Sequence, residues 1–403
     1  MGELSTTECV LTERAAAEPM LGQVILWSQT NSGSENLAGL EVMSALLADV
    51  FSALPGELRL VEPAPVTRVD AEGREVGVAH GRHLHLVVRP EAPLQLLLTG
   101  HMDTVYPASH PFQLPRWLDD GRLNGPGVAD MKGGLAVMLA ALKAHEQQSA
   151  ALTFGYEVVI NSDEEVGSAS SAPLIAAAAR GKTAALTYEP SALPDGTLAG
   201  ARPGSGNFSF TVRGRSAHAG RNPEDGRNAV IAAALLALRL EELRRPGLSV
   251  NVARLDGGSP NNVVPDLAVL RVNLRPRTPE LEQQASQAIA SLVEGVARER
   301  DVAIHSHGGF GRPPKPLDPA SERLFALVTE AGRDLGQVIG RRDSGGVCDG
   351  NNIAAANVPV VDTLGVRGGA IHSEEEYLIP ESLGERAALS ALVLARLAEG
   401  RLP

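Results

Sequence analysis

The sequence predicts an α/β protein of two domains, in which a mostly parallel β-sheet with helices on both faces is interrupted by an inserted α+β domain. The chain has 403 residues, more than one typical domain contains. Short apolar runs alternate with helical patterns in the first half, and this alternation favours a parallel sheet. A stretch of Gly, Pro, Ser and Ala at residues 195–206 then precedes a different pattern. We expect the first domain to span residues 1–202 and 312–403, and the insert residues 203–311.

The composition excludes several classes of function. With 43% hydrophobic residues the chain can bury a sizeable core, as a globular protein does. The net charge of −12 argues against binding to nucleic acid or to an anionic membrane, because phosphate groups attract basic surfaces. No apolar run approaches the roughly 18 residues of a membrane span, and residues 1–20 lack the core of a signal peptide. We therefore expect a soluble, cytoplasmic protein that acts on small molecules or peptides.

Two polar residues follow the first predicted buried strand. Apolar residues recur at helical spacing over residues 37–54, until a Pro-Gly pair ends the pattern. The apolar run at residues 94–99 then predicts a strand, and Gly100 separates it from His101 and Asp103. Both side chains are therefore expected at the carboxyl end of a strand.

A glycine-rich segment at residues 125–134 follows a predicted tight turn at residues 119–123 and leads into a helix at residues 135–145. Glycines at this density allow backbone conformations that a Cβ would forbid. Asp130 lies at the entrance of the helix. The residues alone leave two interpretations open: Asp130 caps the helix, a common role for Asp, or it belongs to a site.

Two further predicted strands end in carboxylates. Glu164 and Glu165 follow the strand at residues 156–160, and Glu189 follows the strand at residues 184–188. Open α/β sheets bind their ligands at the carboxyl ends of strands, so these residues are site candidates. The simpler alternative for the Glu164-Glu165 pair is an acidic loop that faces water.

The insert has the order β-α-β-β-α-β, which is typical of a ferredoxin-like domain. Its predicted strands cover residues 207–213, 248–254, 267–275 and 302–305, and its predicted helices cover residues 228–243 and 279–297. Beyond the insert, residues 358–364 predict a buried strand, His372 follows, and a last helix covers residues 381–399. No internal repeat is present at a fixed period.

Five of these groups suit a pair of divalent metal ions: His101, Asp130, Glu165, Glu189 and His372. Imidazole and carboxylate ligands favour Zn²⁺ or a similar ion, and a chain with only two cysteines favours a catalytic over a structural site. One bridging carboxylate and two further ligands per ion would complete two sites about 3.5–4 Å apart, which could polarise a carbonyl and activate a shared water. Glu164 is then a spare carboxylate, placed to act as general base. Asp103 would accept a hydrogen bond from His101 and fix its tautomer.

The motifs resemble, in order and over nearly the whole chain, those of the M20 metallopeptidases, which include glutamate carboxypeptidase, acetylornithine deacetylase, succinyl-diaminopimelate desuccinylase and aminoacylase. The matching segments are residues 101–103, 125–134, 163–167, 189–190 and 372–373. The resemblance implies a zinc-peptidase-like catalytic domain with His101 and Glu189 on one ion, Glu165 and His372 on the other, and Asp130 as the bridge. It also implies a cis peptide after Asp130. Zinc is the expected metal, with cobalt or manganese as alternatives.

The resemblance further implies that the insert is a lid and dimerisation domain. His218 lies in a segment similar to the one whose histidine reaches the neighbouring subunit's active site and stabilises the tetrahedral oxyanion. Asn262 and Arg275 fall where the family contacts the substrate carboxylate. From the residues alone, a surface or capping histidine is the commoner interpretation at 218. A solvated strand face is an open alternative for Arg271 and a weaker one for Arg275.

Two positions depart from the family pattern. Cys348 stands in a glycine-rich loop where Ser or Thr is usual, and Arg367 stands in the loop before His372, where small or apolar residues are common. The sequence leaves the roles of Cys348, Arg367 and Arg271 open.

We therefore expect a dinuclear zinc-dependent hydrolase that cleaves an amide bond next to a free carboxylate, most like a glutamate carboxypeptidase, with a metal-activated water and Glu164 as general base. The alternative is an N-acyl-amino-acid deacylase of the acetylornithine deacetylase or aminoacylase type. A remoter alternative is a metal-containing binding or scaffold subunit without hydrolytic activity. The expected substrate is a small peptide or N-acyl amino acid, and the expected assembly is a homodimer formed through the lid. The substrate side chain, the acyl group, the native metal and the pathway stay open.

Overall fold

The computed structural model describes residues 4–148 and 154–401. Residues 1–3 and 402–403, at the two ends of the first predicted domain, lie outside the described residues. Among the described residues, no helix is both long and apolar enough to cross a membrane. The helices are α1 (Thr6–Ala17), α2 (Met20–Ser28), α3 (Leu37–Phe51), α4 (Gly133–Glu146), α5 (Ala172–Ala179), α6 (Ala229–Glu241), α7 (Pro279–Arg300), α8 (Pro319–Asp334), α9 (Asp349–Ala354) and α10 (Glu381–Ala398).

The strands form one large sheet, a four-stranded sheet in the insert, and three small sheets. They are β1 (Glu57–Val61), β2 (Val66–Val69), β3 (Glu75–Val78), β4 (His83–Val88), β5 (Gln95–His101), β6 (Arg116–Trp117), β7 (Leu123–Asn124), β8 (Gly155–Asn161), β9 (Ala184–Thr187), β10 (Leu198–Ala199), β11 (Ser205–Arg213), β12 (Leu248–Gly257), β13 (Leu267–Pro276), β14 (Ala303–Arg312), β15 (Arg341–Arg342), β16 (Val360–Val361), β17 (Gly368–Gly369) and β18 (Tyr377–Leu378).

The large sheet has the strand order β1-β4-β8-β5-β9-β16. Strands β8, β5, β9 and β16 run parallel, while β1 and β4 add an antiparallel edge. The carboxyl ends of β5, β8 and β9 therefore meet at one edge of the sheet. This confirms the mostly parallel sheet and places the strand ends of the sequence-predicted site side by side.

Helices cover both faces of this sheet because successive strand residues point to opposite sides. In β5, Leu96 and Leu98 join a core with α4 and α10, while Leu97 joins a second core with α5 and α9. Strand β8 repeats the alternation, with Val158 in the first core and Val159 in the second. The continuous apolar runs that predicted these strands thus reflect burial on two faces.

The insert has the predicted order β11-α6-β12-β13-α7-β14. Its strands pair antiparallel in the order β12-β13-β11-β14, and its helices pack on one core with residues such as Phe210, Leu236, Leu270 and Ile289. This core is distinct from the two cores of the large sheet. The boundaries at residues 202–203 and 311–312 remain a prediction, as does the role of the insert as lid and dimerisation domain.

Several predicted elements differ in extent from the observed ones. The strand predicted at residues 302–305 continues to Arg312, because β14 pairs along the whole of β11. The strand predicted at residues 358–364 is only Val360–Val361. Two helices, α1 and α2, precede the first predicted helix, and Ser5 with Glu8 forms a capping box at the start of α1.

Candidate active site

The buried His101 ends β5 and faces two carboxylates. Its Nε2 atom lies 3.1 Å from Asp130 Oδ1 and 3.7 Å from Glu189 Oε2. Glu189 follows β9, and α4 packs directly on that strand end, since a Cβ on Gly134 would lie 1.9 Å from the Tyr188 carbonyl oxygen. This close approach brings Asp130, just before α4, beside the two strand ends.

Asp130 faces a different imidazole with each carboxylate oxygen. Its Oδ1 is the atom near His101, and its Oδ2 lies 3.3 Å from His372 Nε2. His372 Nε2 is also 3.1 Å from Glu165 Oε2. Asp130 does not cap α4, whose N-cap is Lys132, so that interpretation is wrong. The Asp130–Met131 peptide is cis, as the resemblance implied.

The donor set fits divalent metal ions. Two ligands at about 2.0–2.1 Å from a tetrahedral ion lie about 3.3 Å apart, and the contacts among these side chains range from 3.1 to 3.7 Å. The ligand atoms of His101, Asp130 and Glu165 lie within 4.8 Å of one another, and so do those of His101, Glu164 and Glu189. Contacts of 3.7 Å or less thus link all five sequence-predicted ligands into one cluster.

The site concentrates negative charge away from water, which raises the pKa values of Glu164, Glu165 and Glu189, whereas the two histidines lower the pKa of Asp130. Burial raises the pKa of Glu164 to about 7, against the opposing charge of Arg312. Burial and the charge of Asp130 raise the pKa of Glu165 to about 8. Burial would lower the pKa of His101, but Glu189, Asp103 and Asp130 raise it well above its ordinary value. Carboxylates that resist ionisation for lack of positive charge are suited to binding a cation.

Glu164 and Glu165 have different partners although they are adjacent. Glu165 contacts His372, whereas Glu164 Oε1 lies 2.7 Å from Arg312 Nη2. Glu164 is only 7% exposed and the Glu165 side chain 5% exposed, so the acidic loop that faces water is wrong. The loop is held by Asp103, whose carboxylate accepts hydrogen bonds from both backbone N–H groups, at 3.1 Å each.

Asp103 also lies against His101. The Nδ1 atom of His101 is 3.0 Å from the backbone oxygen of Asp103 and 3.4 Å from its carboxylate Oδ1. Ser34 donates a further hydrogen bond to the carboxylate at 2.7 Å. Either the backbone oxygen or the carboxylate of Asp103 could accept the Nδ1 proton, which would leave Nε2 free for a metal. The role of Asp103 in fixing the tautomer of His101 stays a prediction.

Three sequence-predicted residues lie apart from this cluster. His218 is exposed in the insert, where its Nδ1 accepts hydrogen bonds from the N–H groups of Gly220 and Arg221. Asn262 is also exposed and lies beside His218 through backbone pairing. Arg275 donates a hydrogen bond of 3.1 Å to the Gly345 carbonyl oxygen, in the glycine-rich loop. Among the described residues, no hydrogen bond or ion pair joins these three side chains to a predicted metal ligand.

The residues whose roles were open have local partners. Cys348 is buried, with its sulfur 3.5 Å from Asp362 Oδ2. Arg367 pairs with Glu385 at 2.9 Å, and Arg271 pairs with Asp256. These contacts join Arg367 to α10 and Arg271 to β12.

Sequence reasoning missed Arg312 and Glu376, two buried charged residues at the site. Arg312 ends β14 and contacts Glu164, and Glu376 accepts hydrogen bonds from the segment that carries Asp130. Neither belongs to a recognised motif segment. No local signal in the sequence marks either residue, since Arg312 follows a glycine-rich run and Glu376 is one of three consecutive glutamates.

Comparisons with known proteins agree with this geometry. The model of the family described as peptidase family M20/M25/M40 matches residues 97–396. Carboxypeptidase G2 from Pseudomonas sp. (strain RS-16) is 30% identical over 342 residues, covering 81% of this chain and 80% of that relative. Succinyl-diaminopimelate desuccinylase 2 from Shewanella loihica is 29% identical over 310 residues, covering 71% and 80%. A crystal structure of a tripeptidase from Staphylococcus aureus has a TM-score of 0.71 at 24% identity, covering 94% of this chain and 98% of that one.

The fold and the cluster of imidazole and carboxylate groups define a metal-dependent hydrolase. The chain belongs to peptidase family M20/M25/M40. It is a hydrolytic enzyme of the carboxypeptidase or deacylase kind.

Proposed function

We propose that this chain is a dinuclear zinc hydrolase that cleaves an amide bond next to a free carboxylate, in the manner of a glutamate carboxypeptidase. The observation that carries the proposal is the position of Asp130, whose two oxygens each face a separate imidazole, His101 and His372. A carboxylate in that position is suited to bridge two ions. Glu189 lies on the His101 side and Glu165 on the His372 side, so each ion would have two ligands of its own.

When bound, the two ions would polarise the scissile carbonyl and lower the pKa of a water molecule. Glu164 is the residue we assign to proton transfer. Its carboxylate would take the proton from the attacking water and deliver it to the leaving nitrogen, which needs a carboxylate near the ligands but directed elsewhere. The ion pair with Arg312, rather than a contact with an imidazole, supports this role.

The substrate carboxylate would be bound by the insert. Arg275 is on β13 and reaches the glycine-rich loop at Gly345, so its guanidinium is near the junction of insert and large sheet. A guanidinium can bind a carboxylate through two parallel hydrogen bonds. Asn262 and His218 would act in a homodimer, where the insert of one subunit lies over the site of its partner. There His218 would stabilise the oxyanion of the tetrahedral intermediate.

The relatives favour two substrate classes within this chemistry. The similarity to carboxypeptidase G2 supports cleavage of a C-terminal amino acid, while the similarity to succinyl-diaminopimelate desuccinylase supports removal of an acyl group from an amine. Both reactions need the same ligands and base, so the metal cluster does not separate them. We favour the carboxypeptidase because that relative has the larger aligned region, 342 against 310 residues.

A hydrolysis screen tests the proposal. Metal-free protein would be reconstituted with zinc, cobalt or manganese and offered dipeptides, aryl-amide glutamates and N-acyl amino acids, with release of amine as the measurement. We expect fastest turnover on glutamate amides with a free α-carboxylate and loss of turnover when that carboxylate is amidated. Preference for acetyl or succinyl amines would favour the deacylase, and absence of metal-dependent turnover on all three classes would contradict a hydrolase of this kind.

A further inference from the structure

Glu376 links the two loops that carry Asp130 and His372. It lies four residues after His372 and is 1% exposed. Its Oε1 atom accepts hydrogen bonds of 3.0 Å from the backbone N–H groups of both Ala129 and Asp130. Its Oε2 atom accepts one of 3.1 Å from the N–H group of Gly127. One carboxylate therefore binds three donors of the segment that places Asp130.

Tyr106 and Asn124 provide further hydrogen bonds between the segment before Asp130 and the loop that carries His372. The Tyr106 hydroxyl lies 3.0 Å from Glu376 Oε2 and 2.7 Å from the Ser373 carbonyl oxygen, so its single hydrogen can serve either acceptor. The Asn124 amide donates to the backbone oxygens of Glu374 and Glu376, at 3.0 and 2.7 Å. All these contacts join residues 106–130 to residues 373–376.

The loop that carries His372 needs such support. Ala370 and His372 have φ angles of 54° and 63°, in the left-handed region that residues with a Cβ rarely adopt. Conformations of this kind persist only where the surrounding contacts impose them. The His372 side chain is 53% exposed, so packing around its ring supplies little of that constraint.

We propose that Glu376 is a positioning residue, which holds the Asp130 segment and the His372 loop at the separation that a metal ion between them requires. The inference rests on the proposed metal assignment. The hydrogen bonds that Glu376 accepts from the Asp130 segment all come from backbone N–H groups, so it acts through the backbone. Its loss should weaken the ion bound by Glu165, His372 and Asp130 more than the ion bound by His101 and Glu189, because only the former depends on the His372 loop.

The test is Zn²⁺ binding to metal-free protein, measured by competition with a chromogenic chelator, for wild type, Glu376→Gln, Tyr106→Phe and Glu375→Gln. A glutamine keeps the shape but turns an NH₂ group towards backbone donors. We expect Glu376→Gln to weaken binding of the second ion about 10- to 100-fold and Tyr106→Phe to weaken it by a smaller but measurable factor, about 2- to 10-fold. The exposed neighbour Glu375 is the matched control, and its variant should bind both ions as the wild type does.

Thermal unfolding of the metal-free proteins separates positioning from simple stabilisation. A merely structural role would lower the melting temperature of Glu376→Gln and leave the zinc affinity of the folded protein unchanged, which would overturn the inference. If Glu376→Gln does not fold, the milder variant Tyr106→Phe tests the inference instead. Unchanged zinc affinity in Tyr106→Phe would then overturn it. If the wild-type protein binds fewer than two ions, the proposed dinuclear function is contradicted. That result differs from failure of the positioning role, in which the wild type binds two ions and Glu376→Gln binds them equally well.

Discussion

Arg312 Nη2 lies 2.7 Å from Glu164 Oε1, and the two side chains are only 8% and 9% exposed. The same nitrogen donates hydrogen bonds to the Glu164 backbone oxygen at 2.8 Å and to Ser168 Oγ at 2.7 Å. Arg312 is the last residue of β14, where the insert rejoins the large sheet. The proposed general base is therefore held by a cation from the junction of the two parts of the molecule.

Replacement of Arg312 by alanine should lower turnover and move its acidic limb to higher pH. The positive charge of Arg312 opposes the effect of burial on Glu164, so its removal should raise the pKa of that carboxyl. A base must be ionised to accept a proton, and a higher pKa leaves less of it ionised at neutral pH. Loss of one partner of a buried pair should also cost about 3 kcal/mol of unfolding free energy. The measurements are kcat against pH and urea denaturation.

Arg300, at the end of α7 and paired with its neighbour Glu299, is the control for removal of a positive charge from the insert. Arg300→Ala should change neither quantity. An unchanged acidic limb in Arg312→Ala would mean that Arg312 does not tune the base.

Replacement of Glu164 by glutamine should remove most turnover while two metal ions stay bound. Glutamine cannot accept the proton of the water, and loss of general base catalysis costs about 10²- to 10⁴-fold in rate. Glu165→Gln is the companion variant, since Glu165 contacts His372 and should be a ligand. Metal analysis after dialysis checks both: a loss of metal in Glu164→Gln, rather than in Glu165→Gln, would reverse the roles of the two residues.

The sequence was sufficient to predict the parallel sheet and the order of elements in the insert, because each depends on local pattern. It also selected five residues that the fold brings together, and their role as metal ligands stays a prediction. Buried strands such as β5 and β8 are uninterrupted apolar runs, and the polar residue that follows each run must lie at the strand's carboxyl end. The predicted ligands occur at such positions or within recognised motif segments.

Long-range contacts explain what the sequence could not predict. Arg312 follows a run in which Gly308, Gly309 and Gly311 conceal the alternation of β14, and only pairing with β11 extends that strand to the site. Glu376 is one of three consecutive glutamates, and nothing local distinguishes it from the exposed Glu375. Its burial follows from the position of backbone donors some 250 residues earlier in the chain.

Metal-free protein should lose stability as the pH rises from about 4.5 to about 8. Burial raises the pKa of Glu164, Glu165 and Glu376 from 4.5 to about 7, 8 and 7. An acid whose pKa is raised on folding contributes stability that is complete below its unfolded pKa and is lost as the pH rises through the folded pKa. His372, raised from 6.5 to about 11, adds a loss of the same sign above pH 6.5. The total should reach several kcal/mol.

Zinc should reverse this trend, because bound cations stabilise ionised ligands and metal affinity rises as ligands lose protons. Urea denaturation at several pH values between about 5 and 8, with a chelator or with added Zn²⁺, provides the measurement. The stabilisation by zinc should increase with pH. Metal-free stability that is constant or increases over this interval would contradict the raised pKa values.

Mixing of two inactive variants should restore activity if His218 acts across a dimer. His218 is exposed. Among the described residues, its ring accepts hydrogen bonds only from the N–H groups of Gly220 and Arg221, and none joins it to a predicted metal ligand of its own chain. In a mixed dimer of His218→Ala and Glu164→Gln subunits, one site would combine the intact Glu164 of the first chain with the intact His218 of the second. Random reassociation makes half of the dimers mixed, so about a quarter of wild-type activity should return. No recovery, with mixed dimers verified by mass spectrometry, would place the action of His218 within one chain or outside catalysis.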